Sequence, residues 1–155
     1  MPGWTSSLFT SERDTKRAMS QENVEVARQA FVAFNRTFTE GTPEFYEFVD
    51  PEVEWIPITA LLEGTRYQGH DGVRQWMEDM KGDWEVFETH AEEFRDLGDD
   101  RVLALGTWRA QGRGSGVELD FPRAAWLTRF RDGKIIRLQT FTDRELALEA
   151  AGLSE

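Results

Sequence analysis

Residues 84–142 read WEVFETHAEEFRDLGDDRVLALGTWRAQGRGSGVELDFPRAAWLTRFRDGKIIRLQTFT, and this stretch decides the fold class. Strand-like runs alternate here with short turn signals. Residues 84–97 predict one long strand, and Gly98-Asp99-Asp100 predicts a hairpin turn. Residues 101–113 predict the next strand, followed by the Gly-rich turn at 112–116. Residues 117–131 form a third predicted strand, bent at Pro122. Asp132-Gly133 is a strong hairpin signal, and residues 134–142 complete the set. Four successive strands joined by tight turns predict an antiparallel meander.

Outside this stretch the periodicity is helical. Val24, Ala27, Phe31, Phe34 and Phe38 recur at three- and four-residue steps, with Ser20 placed to cap the helix and Gly41 to end it. Thr42-Pro43-Glu44 predicts a short second helix that buries Phe45, Phe48 and Val49 and is closed by Asp50-Pro51. A strand is expected at 53–58 and a loop at 59–69. Asp71 then caps a helix carrying Val73, Trp76, Met77 and Met80, ended by Gly82. Asp143 caps a last helix at 144–151. Helices gathered on one side of an antiparallel sheet make an α+β domain. Residues 20–153 are expected to form it, and residues 1–19, polar and aperiodic, to be a disordered leader.

The chain has 155 residues and a formal net charge of −11, so a nucleic acid would be repelled and is not an expected partner. There is no cysteine, which removes thiolate chemistry and disulfides. No run approaches the ~18 apolar residues of a membrane span, and the N-terminus has no apolar signal core. The expected location is the cytoplasm. Six Trp and eleven Phe supply rings for a core, a lined pocket, or both.

Several local strings carry a family resemblance. They are Asp50-Pro51-Glu52-Val53-Glu54-Trp55, Tyr67-x-Gly69-x-Asp71-Gly72, Gly98-Asp99-Asp100-Arg101-Val102, Gly112-x-Gly114-Ser115-Gly116, Asp132-Gly133-Lys134-Ile135-Ile136 and Ala147-Leu148-Glu149-Ala150-Ala151-Gly152-Leu153. In this order they resemble SnoaL-like and polyketide-cyclase-like proteins of the nuclear transport factor two-like superfamily, over residues 20–153. The resemblance implies a cone: a curved antiparallel sheet wrapped around helices, the cystatin-like α+β roll, with an apolar pocket inside. It also implies a homodimer packed through the outer face of the sheet. Members include isomerases, epoxide hydrolases, dehydratases, cyclases and non-catalytic binders, so fold alone does not choose a reaction.

The family's chemistries can be compared with the residues here. A ketosteroid isomerase needs a Tyr, an Asp base and a neutral Asp; the corresponding positions hold Phe31, Trp55 and Trp126. The epoxide hydrolase Arg and first Asp correspond to Thr107 and Arg109, and its second Asp to Thr140; Arg109 keeps a charge, and no carboxylate remains to take a proton from water. Cyclases use a strand carboxylate, for which Asp120, beside Glu118, is the candidate; the competing reading is a solvated strand-edge charge. His70 and His90 are the only histidines, too few for a zinc site. No metal and no cofactor is expected. Gly112-x-Gly-x-Gly joins two strands and opens no helix, so it reads as a hairpin and not as a phosphate loop.

The expected pocket lining is Phe31, Trp55, Tyr67, Trp76, Met80, Thr107, Arg109, Trp126, Thr128 and Thr140. Such a wall suits a small apolar or polycyclic molecule. Three functions stay open: a small-molecule-binding domain; a cofactor-independent cyclase, isomerase or dehydratase using Asp120 or Arg109; and an interaction domain whose cavity is filled by Trp side chains.

Overall fold

A computed structural model of the chain describes the backbone of residues 2–58, 60 and 64–153, and of these the side chains from Ala18 onward. The leader read at residues 1–19 therefore falls, apart from Ala18 and Met19, outside the described side chains. Helix α1 spans Pro2–Glu40 and passes through Ser20 without a break. Ser20 is thus an interior residue and not a cap.

The buried face of α1 carries Ala27, Ala30, Phe34 and Phe38, a helical stripe pressed onto the sheet. Asn35 fixes its height. Its Nδ2 donates to Thr89 O at 2.8 Å, and Thr89 Oγ1 donates to its Oδ1 at 3.2 Å. A 3-10 turn at Glu44–Phe48 follows, preceded by Pro43 in place of the short α-helix expected from the sequence. Thr37 Oγ1 accepts its Phe45 N–H at 3.0 Å.

Strand β1 spans Val49–Ile56 and β2 spans Tyr67–Gln68. Helix α2 spans Gly69–Asp83 and buries Val73, Trp76 and Met77. Gln68 occupies its N-cap position, and Asp71 lies in the first turn, 2.8 Å from Arg74. There Asp71 favours the positive end of the helix dipole without capping it. The long strands are β3 (Trp84–Gly98), β4 (Arg101–Gly112), β5 (Glu118–Arg131) and β6 (Lys134–Phe141). Helix α3 (Arg144–Ala150) ends the domain, and Asp143 caps it by accepting from Glu145 N at 2.8 Å.

The sheet order is β2-β1-β6-β5-β4-β3. The meander pairs antiparallel, with hairpin turns whose positive φ values at Asp99 (52°), Asp100 (57°), Asp132 (52°) and Gly133 (78°) fit the twist of the flanking strands. The first strand departs from expectation. It begins at Val49 and not at 53, and it pairs parallel to β6 through Val49↔Ile135 and Trp55↔Leu138. The pairing slips between Val49 and Glu54, so Pro51, which has no N–H, sits where the ladder is interrupted.

Among the register irregularities of the sheet, two bulges lie side by side at its middle. On β3 the register shifts between Ala91 and Glu93; on β5 two residues, Pro122 and Arg123, lie opposite Thr107. The bend expected at Pro122 is this second bulge. The inner face holds the main core with α1 and α2, while α3 packs outside, where Ala147, Leu148 and Ala151 join Leu103, Leu105, Ala125, Leu127 and Phe141. No described helix is long and apolar enough to cross a membrane.

Candidate functional site

The concave side of the sheet, roofed by α1 and α2, encloses a cavity of about 260 Å³. Each element contributes rings by its own periodicity. Phe31 and Phe34 come from successive turns of α1, and Trp76 and Met80 are four apart on α2. Trp55 comes from β1, Phe87 from β3, Trp108 from β4, Phe121 and Trp126 from β5, and Thr140 from β6. The lining residues Ile58, Met80, Trp84, Leu119 and Phe121 are only half-buried and mark where the cavity meets solvent.

The rings brace one another and do not collapse into the space. Phe31 meets Trp126 edge-to-face at 5.0 Å, Phe87 meets Trp108 edge-to-face at 5.2 Å, and Trp55 meets Trp76 at 5.2 Å. Each such pair adds roughly 0.5–1.5 kcal/mol beyond its area burial. That rigidity keeps the wall in place around the cavity.

None of the described lining residues is ionisable. The polar side-chain groups carried by the lining residues are two hydroxyls, on Thr89 and Thr140, and the indole N–H groups of the tryptophans. Thr89 is engaged with Asn35. Trp55 is 4% exposed, and its Nε1 has no hydrogen-bond partner. A buried donor left unpaired costs roughly 1–3 kcal/mol.

Six of the ten residues expected at the pocket line the cavity: Phe31, Trp55, Trp76, Met80, Trp126 and Thr140. Four lie elsewhere. Tyr67 pairs with Trp55 in register at the β2 edge and packs against Gly72. Thr128 is buried in the sheet, where its hydroxyl donates to Val102 O at 2.9 Å. Thr107 and Arg109 flank the inward Trp108 and therefore point to the opposite face. Arg109 is exposed and donates to Glu88 at 2.9 Å. Asp120 is exposed too, opposite Arg109 in the β4–β5 register and between the inward Leu119 and Phe121.

The histidines lie outside the cavity. His70 Nε2 is 2.7 Å from Val49 O, tying the start of α2 to β1. His90 is exposed, 3.7 Å from Glu88. Beside His70, Tyr46 keeps its phenol proton to higher pH than usual because it is partly buried, an effect that Arg74 opposes.

Comparison with known proteins settles the family. The model of the SnoaL-like domain family matches residues 24–138. The chain belongs to the SnoaL-like domain family. Solved structures share its fold at low identity. An NTF2-like protein of unknown function from Burkholderia pseudomallei superposes with a TM-score of 0.66 at 21% identity, over 83% of this chain and 95% of the other. TerC, crystallised with polyporic acid, gives 0.65 at 22%, over 84% and 98%. A candidate SnoaL-like polyketide cyclase from Jannaschia sp. CCS1 gives 0.58 at 19%, over 84% and 91%. No curated protein matches the sequence.

In this SnoaL-like domain the sequence reading also missed part of the wall. Phe87, Trp108, Leu119 and Phe121 line the cavity alongside the expected rings. Alternation along β4 points to Trp108 once one inward neighbour is known. On β5 the bulge at Pro122 changes the phase, so Phe121 (odd) and Trp126 (even) both face inward.

Proposed function

We propose that this SnoaL-like domain binds a small, flat, ring-bearing molecule and does not transform it. The observation that carries this reading is the cavity itself: about 260 Å³, walled by aromatic rings, with no ionisable side chain among the described residues of its lining. Ligand sites run from roughly 300 Å³ upward, so this one suits a molecule of two or three fused rings. Burial of such a ligand would be driven by its apolar area, at roughly 25 cal/mol per Å².

A cyclase, isomerase or dehydratase would need a base within hydrogen-bond reach of the substrate. Asp120 and Arg109, the candidates for that role, face away from the cavity, which favours binding over turnover. The filled-cavity reading is disfavoured by the volume that remains among the Trp rings. For assembly we propose a monomer in place of the expected homodimer, since α3 already covers the apolar part of the outer face.

The test is titration of the purified protein with a panel of two- and three-ring aromatic compounds, followed by tryptophan fluorescence and native mass spectrometry. Saturable quenching with one ligand per chain is expected. A panel that leaves both fluorescence and mass unchanged would sink the reading.

A further inference from the structure

Val117, Leu119 and Phe121 alternate around the start of β5 and share one side of it. Leu119 and Phe121 line the cavity and are half-buried. Val117 is 50% exposed, so it carries the same apolar stripe out into solvent. Further along β5 the lining residue Trp126 is buried. The half-buried lining residues Met80 and Trp84 come from the last turn of α2 and the first position of β3. Trp84 pairs with Gly112 at the end of β4, which puts them at the same end of the sheet as the β4–β5 hairpin. The cavity therefore meets solvent where this hairpin meets the end of α2.

Arg113 joins those two parts. Its N–H donates to Asp83 O at 3.0 Å. Its Nε and Nη2 donate to Lys81 O at 3.3 and 3.0 Å, and Nη2 reaches Trp84 O at 3.4 Å. The last carbonyls of a helix lack partners within it and carry the negative end of its dipole, which draws a guanidinium there. Among the described residues, every hydrogen bond from 113–117 to residues outside the hairpin is made by Arg113.

The tie is built to open. Arg113 is exposed, so water competes for each of its hydrogen bonds. Gly114 and Gly116 take φ values of 75° and 71°, and a Cβ on either would stand in open space. Few packed contacts and exposed hydrogen bonds are what make a segment open locally at low cost. Arg113 is not among the described lining residues, so it bears on passage and not on the bound contacts.

We propose that ligand enters the cavity along Val117, Leu119 and Phe121, and that Arg113 is the latch of this entrance, holding the β4–β5 hairpin against the end of α2. This rests on the binding reading above and adds how that site exchanges its occupant.

The test compares the full chain with its Arg113→Ala variant, using 1-aminoanthracene, an uncharged three-ring fluorophore, as the probe. Stopped-flow fluorescence gives the association and dissociation rates, and amide hydrogen exchange gives the opening of the hairpin without any ligand. Both rates are expected to rise about tenfold in the variant, the worth of one hydrogen bond from a charged donor, while Kd changes less than twofold. The position-113 amide is expected to exchange about tenfold faster, with the amides of β5 beyond Pro122 unchanged. Rates equal in the two chains would overturn the latch and leave the binding reading standing. So would a weaker Kd at unchanged association rate, which would mean that Arg113 shapes the cavity itself. Unchanged exchange at position 113 would overturn it whether or not the probe binds. Failure of the probe to bind either chain would remove the binding reading and the entrance with it.

Discussion

Gly106 on β4 lies directly under the backbone of His90 on β3, so close that a Cβ on Gly106 would overlap the His90 carbonyl oxygen. Two bulges of the sheet sit at this level: the β3 slip begins at Ala91, the partner of Gly106, and the β5 slip lies at Pro122-Arg123 beside it. The curvature that makes room for the cavity therefore depends on a missing side chain. Gly106→Ala is expected to destabilise the domain by about 3 kcal/mol, the upper range for an overpacked core position. Urea unfolding measures it; a change within about 0.5 kcal/mol would mean that the strands separate there without strain.

Arg109 and Asp120 face outward on neighbouring strands, and Arg109 pairs with Glu88 at 2.9 Å across an exposed surface. Arg109→Ala and Asp120→Asn should each change ligand affinity by less than about twofold and stability by less than about 1 kcal/mol, the usual range for exposed pairs. Loss of ligand binding in either variant, at unchanged unfolding midpoint, would place these side chains at the site after all.

Helix α3 shields Leu103, Leu105, Leu127 and Phe141 on the outer face. Ending the chain at Thr142 should uncover a contiguous apolar patch and drive self-association. Sedimentation velocity is expected to give a monomer for the full chain and concentration-dependent dimers or larger species for the truncated one. A full chain that is already dimeric, with α3 in place, would show that a different surface mediates assembly.

Asp50 links the start of β1 to the β5–β6 turn. Its carboxylate accepts the Glu52 N–H at 2.8 Å and the Arg131 guanidinium at 3.1 Å. The Glu52 hydrogen bond, helped by Arg131 and opposed by partial burial, holds its pKa below the ordinary carboxylate value. A depressed folded pKa gives stability that is present above the unfolded value of about 3.9 and is lost as pH falls through the folded one. Asp50→Asn should therefore lower stability at neutral pH, converge with the parent chain as the pH falls below about 4, and so flatten the acid limb of the stability curve. Urea midpoints across that range decide it; an acid limb of unchanged slope in the variant would count against the assignment.

The fold was legible because local chemistry repeats it. Asp99-Asp100 and Asp132-Gly133 demand left-handed backbone and receive it, Asp143 caps where a cap was read, and the α1 stripe from Ala27 to Phe38 meets the sheet as its spacing requires. The first strand was less legible. Its start at Val49 is set by parallel pairing with β6, eighty-six residues later in the chain, and no local signal encodes a partner that distant.

For the site, the sequence by itself determined the material: an acidic, cysteine-free chain with tryptophan and phenylalanine at helix and strand positions that point inward. Only the tertiary structure decided which residues share the cavity. The reason lies in the two-residue period of strands, where one extra residue turns every later side chain to the other face. The bulges at Ala91–Glu93 and at Pro122 do this twice. On β5 the bulge is why both Phe121 and Trp126 face the cavity while Asp120 faces water; on β4 unbroken alternation turns Trp108 inward and Thr107 and Arg109, which looked equally eligible in one dimension, outward.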